Sequence, residues 1–482
     1  MKQPRALTPL FLTEMWERFG FYVVQSLLIL YLTNLLKFSD SKSYLILGEY
    51  TALVYLTPIA GGIFSDRVLG PRYSILIGAV LLAVGYFLLA FNHAANHSLL
   101  FLGLAIIVIG NGFLKPNISS FLGEFYYEDD PRRNAGFTLF YMGINIGALL
   151  ALGSGGAIQE GLGWWAAFGA AGIGMIIAFG TFAFGFSTFE NRGLPVPRNQ
   201  IPHKLTRLFS YKITIVISIL ISIVIAFLLI SSSSIAEVLE TIVGVMVLLA
   251  LIYVATRYHR QQRNKFFALL ILIVASVIFW GLFFQMFAAV NLFTERNVDR
   301  HMFGLTVPPS VFISLESFFI LIFGPFLAWL WQHLHVKKID PTPGMKFSLA
   351  MFCVAISMAL LVLGIHFHQS SGFISPWWIV IFFIVITLGE MLLSPIGLSM
   401  VTELSPPHLS GLMMGVWFMA LGFGGELSGY LAKAASVPKS DMNLAISNLI
   451  YAHAFRNNAI IAFVVAVVLL ALTPWLKRLT KN

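Results

Sequence analysis

Long stretches of this chain carry no charge, and that limits what it can fold into. Tyr73 to Leu114 contains no Asp, Glu, Lys or Arg, and neither does Phe347 to Gly389. Thr214–Ala236, Phe266–Thr294 and Ala459–Leu476 are further uncharged runs. A helix of about 20 largely apolar residues crosses a bilayer. Asn92–Ser98 divides the first run into two such lengths, and His366–Gly372 with Pro376 divides the second. The pattern predicts fourteen spans, starting near residues 9, 44, 73, 98, 134, 162, 213, 235, 266, 309, 346, 376, 409 and 457. Fourteen helices of about 22 residues each leave only loops and tails, so no large soluble domain is expected.

Composition agrees. Charged residues make up 11% of the 482 positions, against about 25% in ordinary soluble domains. The net charge of +9 would raise nucleic acid as a partner, but its distribution points to orientation in a membrane. With the N-terminus inside, 21 of the 30 basic residues fall on the cytosolic side, among them Arg67, Arg72, Arg132, Arg133, Arg198, Lys204 and Arg207. Seven fall outside: Lys37, Lys42, Arg296, Arg300, Lys433, Lys439 and Arg456. Arg18 and Lys115 lie within spans. The positive-inside rule then predicts a cytoplasmic (inner) membrane protein with both termini cytosolic. Its partner is lipid and not nucleic acid. No cleavable signal peptide is expected, because Glu14, Glu17 and Arg18 interrupt the first apolar stretch. The lone Cys353 lies inside a span and reads as a packing residue.

A parallel repeat is visible. Gly110, Lys115, Pro116 and Glu124 have counterparts at Gly389, Ser394, Pro395 and Glu403, each 279 residues later. Pro131, Gly136 and Gly147 match Pro406, Gly411 and Gly422, each 275 later. Two six-helix halves in one orientation describe a major-facilitator architecture. The expected division is residues 1–190, then a linker with two additional spans over 191–265, then 266–482. Asn191–Lys212, with Pro195, Pro197 and Pro202, reads as a cytosolic linker. The two spans after it hold few interior polar residues and are expected to lie outside any transport path.

Charges within spans are costly, about 2.5–3.5 kcal/mol each at the helix centre, and imply function by default. In the first span Glu14, Glu17, Arg18, Tyr22 and Gln25 share one helical face. Glu14 is expected to pair with Arg18 one turn on, leaving Glu17 the weaker claim and free to titrate. The alternative is a neutralised structural cluster. Lys115 lies in the fourth span, too deep to snorkel at 1.5 Å per residue. Glu390 lies near mid-depth in the twelfth span, where a buried carboxyl suits a proton carrier. Glu316 sits about two turns into the tenth span. Glu49 and Glu426 lie near outer ends, where interfacial solvation is the expectation. Asp66, Arg67, Gly70 and Arg72 read as a clamp between helices on the cytosolic side. The pairs His93/His97 and His333/His335 are placed in loops, and no metal site is expected. No GxxxxGK[ST] phosphate loop is present, so ATP does not drive the chain directly.

Taken together, these segments resemble the proton-dependent oligopeptide transporters, a branch of the major facilitator superfamily. The first span resembles that family's ExxERFxYY motif as Glu14-Met15-Trp16-Glu17-Arg18-Phe19-Gly20-Phe21-Tyr22. GGIFSDRVLGPR follows in the second span and its loop, GNGFLKPNISS in the fourth, and FTLFYMGINIGAL in the fifth. EMLLSPIGLSMVTELSPP and MMGVWFMALGFG close the set in the twelfth and thirteenth. The two additional spans are similar to those of bacterial members.

The resemblance implies a non-enzymatic symporter that imports di- and tripeptides by alternating access. The proton is its coupling ion and it has no other cofactor. Apart from the resemblance, a monomer is the expectation, although the sequence itself is silent on oligomeric state. Glu14, Glu17, Arg18, Lys115 and Glu390 would couple the proton, with Lys115 facing Glu17. Tyr22 and Asn145 would contact the peptide backbone, Glu390 would receive its amino group, and Ser394 and Trp417 would shape the pocket. Lys115 and Glu390, on opposite halves, would suit the two ends of a zwitterion.

Two positions depart from the family pattern. Gln25 stands where the family usually has an arginine, and no acid occurs in Phe266–Val290 to pair with one. Ser314-Leu315-Glu316-Ser317 stands where an Asn is usual. The site thus gains a carboxylate at its amine end, which makes a cationic or non-peptide organic substrate the alternative. A channel or a membrane enzyme is disfavoured by the lack of a filter-like repeat, a histidine or cysteine site and a nucleotide motif.

Overall fold

A computed structural model describes residues 2–92, 97–127, 130–195, 211–302, 304–368, 372–438 and 443–480. His93, Pro197, Arg198, Pro202, Lys204, Arg207 and Lys439 lie outside the described residues. The long helices are α1 (Leu7–Leu30), α2 (Asp40–Phe64), α3 (Gly70–Ala90), α4 (His97–Gly123), α5 (Arg133–Leu162), α6 (Trp164–Phe184), α7 (Tyr211–Ser231), α8 (Ser233–Thr256) and α9 (Arg260–Phe283). After a short α10 (Ala289–Asn297) come α11 (Pro309–Val336), α12 (Pro343–Phe367), α13 (Trp377–Leu404), α14 (Ser410–Lys433) and α15 (Leu444–Thr480). Helices answer the demand of lipid, where every backbone polar group must be satisfied within its own segment. Among the described residues the only strands form a hairpin of two residues each, His301–Met302 with Leu305–Thr306.

The long helices begin within six residues of the expected starts, with one clear exception. The last was expected near residue 457, but α15 begins at Leu444. Its first turns carry Ser447, Asn448, His453 and Arg456, which read as loop. Two of these are satisfied internally: Asn448 Oδ1 accepts from Asn297 Nδ2 at 2.7 Å, and Ser447 Oγ donates to Asn297 Oδ1 at 3.0 Å. The uncharged run Phe266–Thr294 is also not one helix, because a 3-10 turn at Phe284–Met286 separates α9 from α10. His333 and His335 fall within the last turns of α11 and not in a loop. His333 stacks on Trp329 at 5.4 Å between ring centroids.

The chain forms two compact units. One holds Met1–Tyr31 and Leu53–Ser233, the other Leu32–Ala52 and Ser234–Asn482, so the chain changes unit just after α1, inside α2 and at the start of α8. In the first unit α1 packs on α5 and α6, and α3 packs on α4 and α6. In the second, α9 packs on α14 and α15, and α12 packs on α13 and α15. These are the same pairings, offset by one six-helix set, and they are the spatial form of the sequence repeat. Pro116 inside α4 and Pro395 inside α13 occupy matching places. The fold is therefore the major-facilitator type, two six-helix sets with α7 and α8 added between them in sequence.

The additional helices are lipid-facing in character. Val216, Leu220, Ile221 and Val224 of α7 are exposed, as are Val238, Leu239 and Ile242 of α8. α7 lies on α4 in the first unit. In the second unit, Gly244 of α8 faces the Phe423 ring of α14, which would lie 3.3 Å from a Cβ there.

Candidate functional site

The first unit gathers the charged residues of α1 and α4. Glu14 and Glu17 are fully buried and Arg18 nearly so. The Arg18 guanidinium donates through Nε and Nη2 to both carboxylate oxygens of Glu17. Such a fork is among the strongest charge-assisted arrangements. Lys115 Nζ donates to Glu14 Oε1. Asn111, one turn before Lys115 on α4, donates to Glu17 Oε1 at 3.2 Å. Arg18 also lies over the Phe21 ring, 4.5 Å from its centroid.

This corrects the expected pairing. Glu14 and Arg18 are within ion-pair distance at 3.8 Å, but the fork goes to Glu17 and Lys115 faces Glu14. The reason is tertiary. Helical spacing favours Glu14 for Arg18, but a cation from α4 occupies Glu14, and the long arginine side chain folds onto its sequence neighbour. Glu14 Oε2 is buried without a hydrogen-bond partner, whereas both oxygens of Glu17 are engaged. Glu14 is thus the less satisfied carboxylate. Asn111 was missed as a site residue, although its place one turn from Lys115 on the same helical face was legible.

Close helix approach holds α1 in place. A Cβ on Gly147 would sit 2.2 Å from the Met15 carbonyl oxygen, so only glycine lets α5 lie this near α1. Tyr22 packs edge-on to Phe21 at 5.1 Å. Gln25 is buried further along α1. Asn145 is buried on α5, where its amide donates to the Tyr141 carbonyl at 2.9 Å.

The second unit gathers Glu316 of α11 and Glu390 of α13, whose carboxyl groups lie within hydrogen-bonding reach of each other. Ser317 Oγ donates to Glu316 Oε2 at 2.8 Å. Glu390 Oε2 and Ser394 Oγ are buried without hydrogen-bond partners among the described residues. Trp417 is wedged into the protein: its ring lies against the Gly397 backbone, 2.1 Å from where a Cβ would stand, and near Phe347. It braces α13 and offers no open face.

The expected clamp between helices forms with a different membership. Asp66 and Arg67 are exposed. Arg72 is buried and donates to the Glu190 carbonyl, and its backbone N–H donates to the Gly193 carbonyl at 3.2 Å. Glu124 Oε2 accepts from the Gly193 N–H at 3.2 Å. Burial raises the Glu124 carboxyl above the usual range, opposed by that N–H and by Arg192 and Arg72. Gly70 takes φ +69°, where a Cβ would also strike the Leu194 carbonyl at 2.3 Å. Solvation of Glu49 is also not found: it is 1% exposed, and Glu426 is half-buried. An apolar cavity of about 250 Å³ lies between α2, α4 and α7, lined by Thr57, Phe64, Phe113 and Leu229 among others. No charged residue lines it, so it stands apart from this chemistry.

Two six-helix sets with buried ion pairs inside membrane helices define a multi-pass membrane transporter of the major-facilitator type. The POT family pattern matches residues 72–449, well over half of the chain. Dipeptide and tripeptide permease B of Salmonella typhimurium is 33% identical over 480 residues, covering 99% of this chain and 96% of its own. Dipeptide and tripeptide permease A of Proteus mirabilis is 31% identical, covering 100% and 96%. A crystal structure of the peptide transporter POT in complex with sulfate superposes with a TM-score of 0.86 at 29% identity, covering 100% and 96%. A tetrameric PepTSo2 crystal structure gives 0.85 at 28%, covering 99% of each chain. The chain belongs to the POT family, a family of transporters and not of enzymes.

Proposed function

We propose that this chain is a proton-coupled symporter that imports di- and tripeptides by alternating access. The observation that carries the reading is the pairing of buried Glu14 with half-buried Lys115 and of buried Glu17 with Arg18. The relatives, named as dipeptide and tripeptide permeases over nearly the whole chain, supply the substrate class. A proton arriving on Glu14 would break its pair with Lys115 and release a contact between α1 and α4. A switch needs such a difference between states. The freed Lys115 would then recognise the peptide carboxylate, with Tyr22, Gln25 and Asn145 lining that end.

Glu390 and Glu316, with Ser394 beside them, would receive the amino group, and Trp417 would hold α13 in place behind them. The proton is the only coupling species required. The functional halves would be residues 1–190 and 266–482, with 191–265 as an insert. The chain would sit in the cytoplasmic membrane with both termini in the cytosol, a placement that the distribution of basic residues supports.

The test is uptake of labelled dialanine into proteoliposomes. An inward pH gradient should drive accumulation, and a protonophore should collapse it. Glu14→Gln should lose gradient-driven uptake and keep counterflow, because the isosteric amide cannot carry a proton and leaves the peptide-binding residues in place. Full pH-driven accumulation in both Glu14→Gln and Lys115→Ala would refute the coupling role.

Glu316 favours a second reading, in which the preferred substrate carries extra positive charge. A second carboxyl beside Glu390 should make a Lys-containing dipeptide a better competitor than a Glu-containing one, by about tenfold for each 1.4 kcal/mol of difference. Glu316→Gln should narrow that gap. Equal inhibition by both peptides, unchanged in the variant, would remove this reading.

A further inference from the structure

The costliest unexplained feature of the second unit is a set of three carboxylates from three helices. Glu49 comes from α2, Glu240 from the additional helix α8, and Glu426 from α14. One carboxylate oxygen from each lies within 4.8 Å of the other two. Glu240 is 5% exposed and Glu49 1% exposed. No N–H or O–H of the described residues outside the cluster donates to either oxygen of Glu240 or to Oε2 of Glu49. The Glu240 and Glu426 carboxyl groups lie within hydrogen-bonding reach of each other, so a donor-less Glu240 oxygen faces the space the three residues share. Among the described residues no Lys or Arg pairs with any of them. The other groups facing the cluster are Glu237 of α8 and Tyr430 of α14, and the nearby Lys433 lies over the Tyr430 ring.

Burying carboxylates without compensation is prohibitive, and buried charges are normally paired or coordinate metals. The helices converge here by design of the backbone: a Cβ on Gly48 would lie 3.0 Å from Gly429 Cα, so α2 and α14 nearly touch beside Glu49 and Glu426. Between Ile235 and Ile252 the only polar residues of α8 are Glu237, Glu240 and Thr241, and Glu240 is buried one turn from Glu237.

We infer that Glu49, Glu240 and Glu426 form a binding site for a hard divalent cation, of which calcium has the fitting size. All donors are carboxylate oxygens, the ligands that hard cations prefer. Calcium binds oxygens at about 2.3–2.6 Å, so opposite ligands stand about 5 Å apart, and the span of this cluster matches that diameter. Glu426 is half-buried and Glu237 exposed, which supplies an acidic entry path. The bound ion would fasten α8 to α2 and α14 and so give the additional helix a structural reason to carry two glutamates.

The purified full-length protein, stripped with a chelator, tests this by equilibrium dialysis against radioactive calcium, with magnesium and manganese as competitors. One calcium per chain is expected, with an upward shift in Tm of a few degrees on adding calcium. Glu240→Gln should abolish both. Wild-type protein that retains none of the three ions and shows a Tm indifferent to them overturns the inference and leaves the cluster to shared protons. Undiminished calcium binding in a folded Glu240→Gln variant overturns it equally. The wild-type measurement decides the matter even if the variant does not fold.

Discussion

Arg18 is the residue on which the charge balance of the first unit turns. Its planar fork satisfies both oxygens of Glu17, which a lysine's point charge cannot do. Removing one partner of a buried pair leaves an uncompensated charge, at a cost of about 3–5 kcal/mol. Arg18→Gln should therefore lower stability by about that amount, read from thermal unfolding in detergent. Arg18→Lys should recover only part of it. An Arg18→Gln variant as stable as the parent would mean that Glu17 is already neutral. The presence of a charged face on α1 was plain from residue spacing. Which acid takes which base was not, because Lys115 and Asn111 arrive from α4, about a hundred positions away.

At the scale of elements, glycine decides which helices touch. Gly147 admits α5 to the backbone of α1, and Gly61 admits α2 to α4, where a Cβ would stand 1.9 Å from the Gly112 carbonyl oxygen. Gly147→Leu would force α1 and α5 apart and shift the carboxylates that α1 carries. Overpacking of this kind costs about 1–3 kcal/mol or more, so a lower Tm and loss of peptide uptake are both expected. Unchanged values of both would contradict the packing. The glycines were conspicuous in the sequence, but their partners were not, since a small residue states only that something comes close. The start of α15 shows the opposite difficulty. Ser447 and Asn448 read as loop because hydropathy cannot see that Asn297 of α10 satisfies them.

For the whole molecule the outstanding directional claim is which side each end of the helices faces. Cys353 is the lone cysteine, so a Cys353→Ser background gives a clean reporter. In intact cells Lys433→Cys should react with an impermeant maleimide, and Glu403→Cys should react only after the membrane is opened. The reverse pattern would invert the proposed topology.

Hydropathy and charge placement by themselves determined the number of long helices and their approximate starts, and they exposed the parallel repeat. These follow from local composition, because lipid requires each spanning segment to satisfy its own backbone. The motif residues determined the family. Only the tertiary structure decided the partners of Glu14 and Glu17, the meeting of Glu316 with Glu390, and the convergence of Glu49, Glu240 and Glu426. Each depends on side chains that different helices bring to one place, which local composition does not encode.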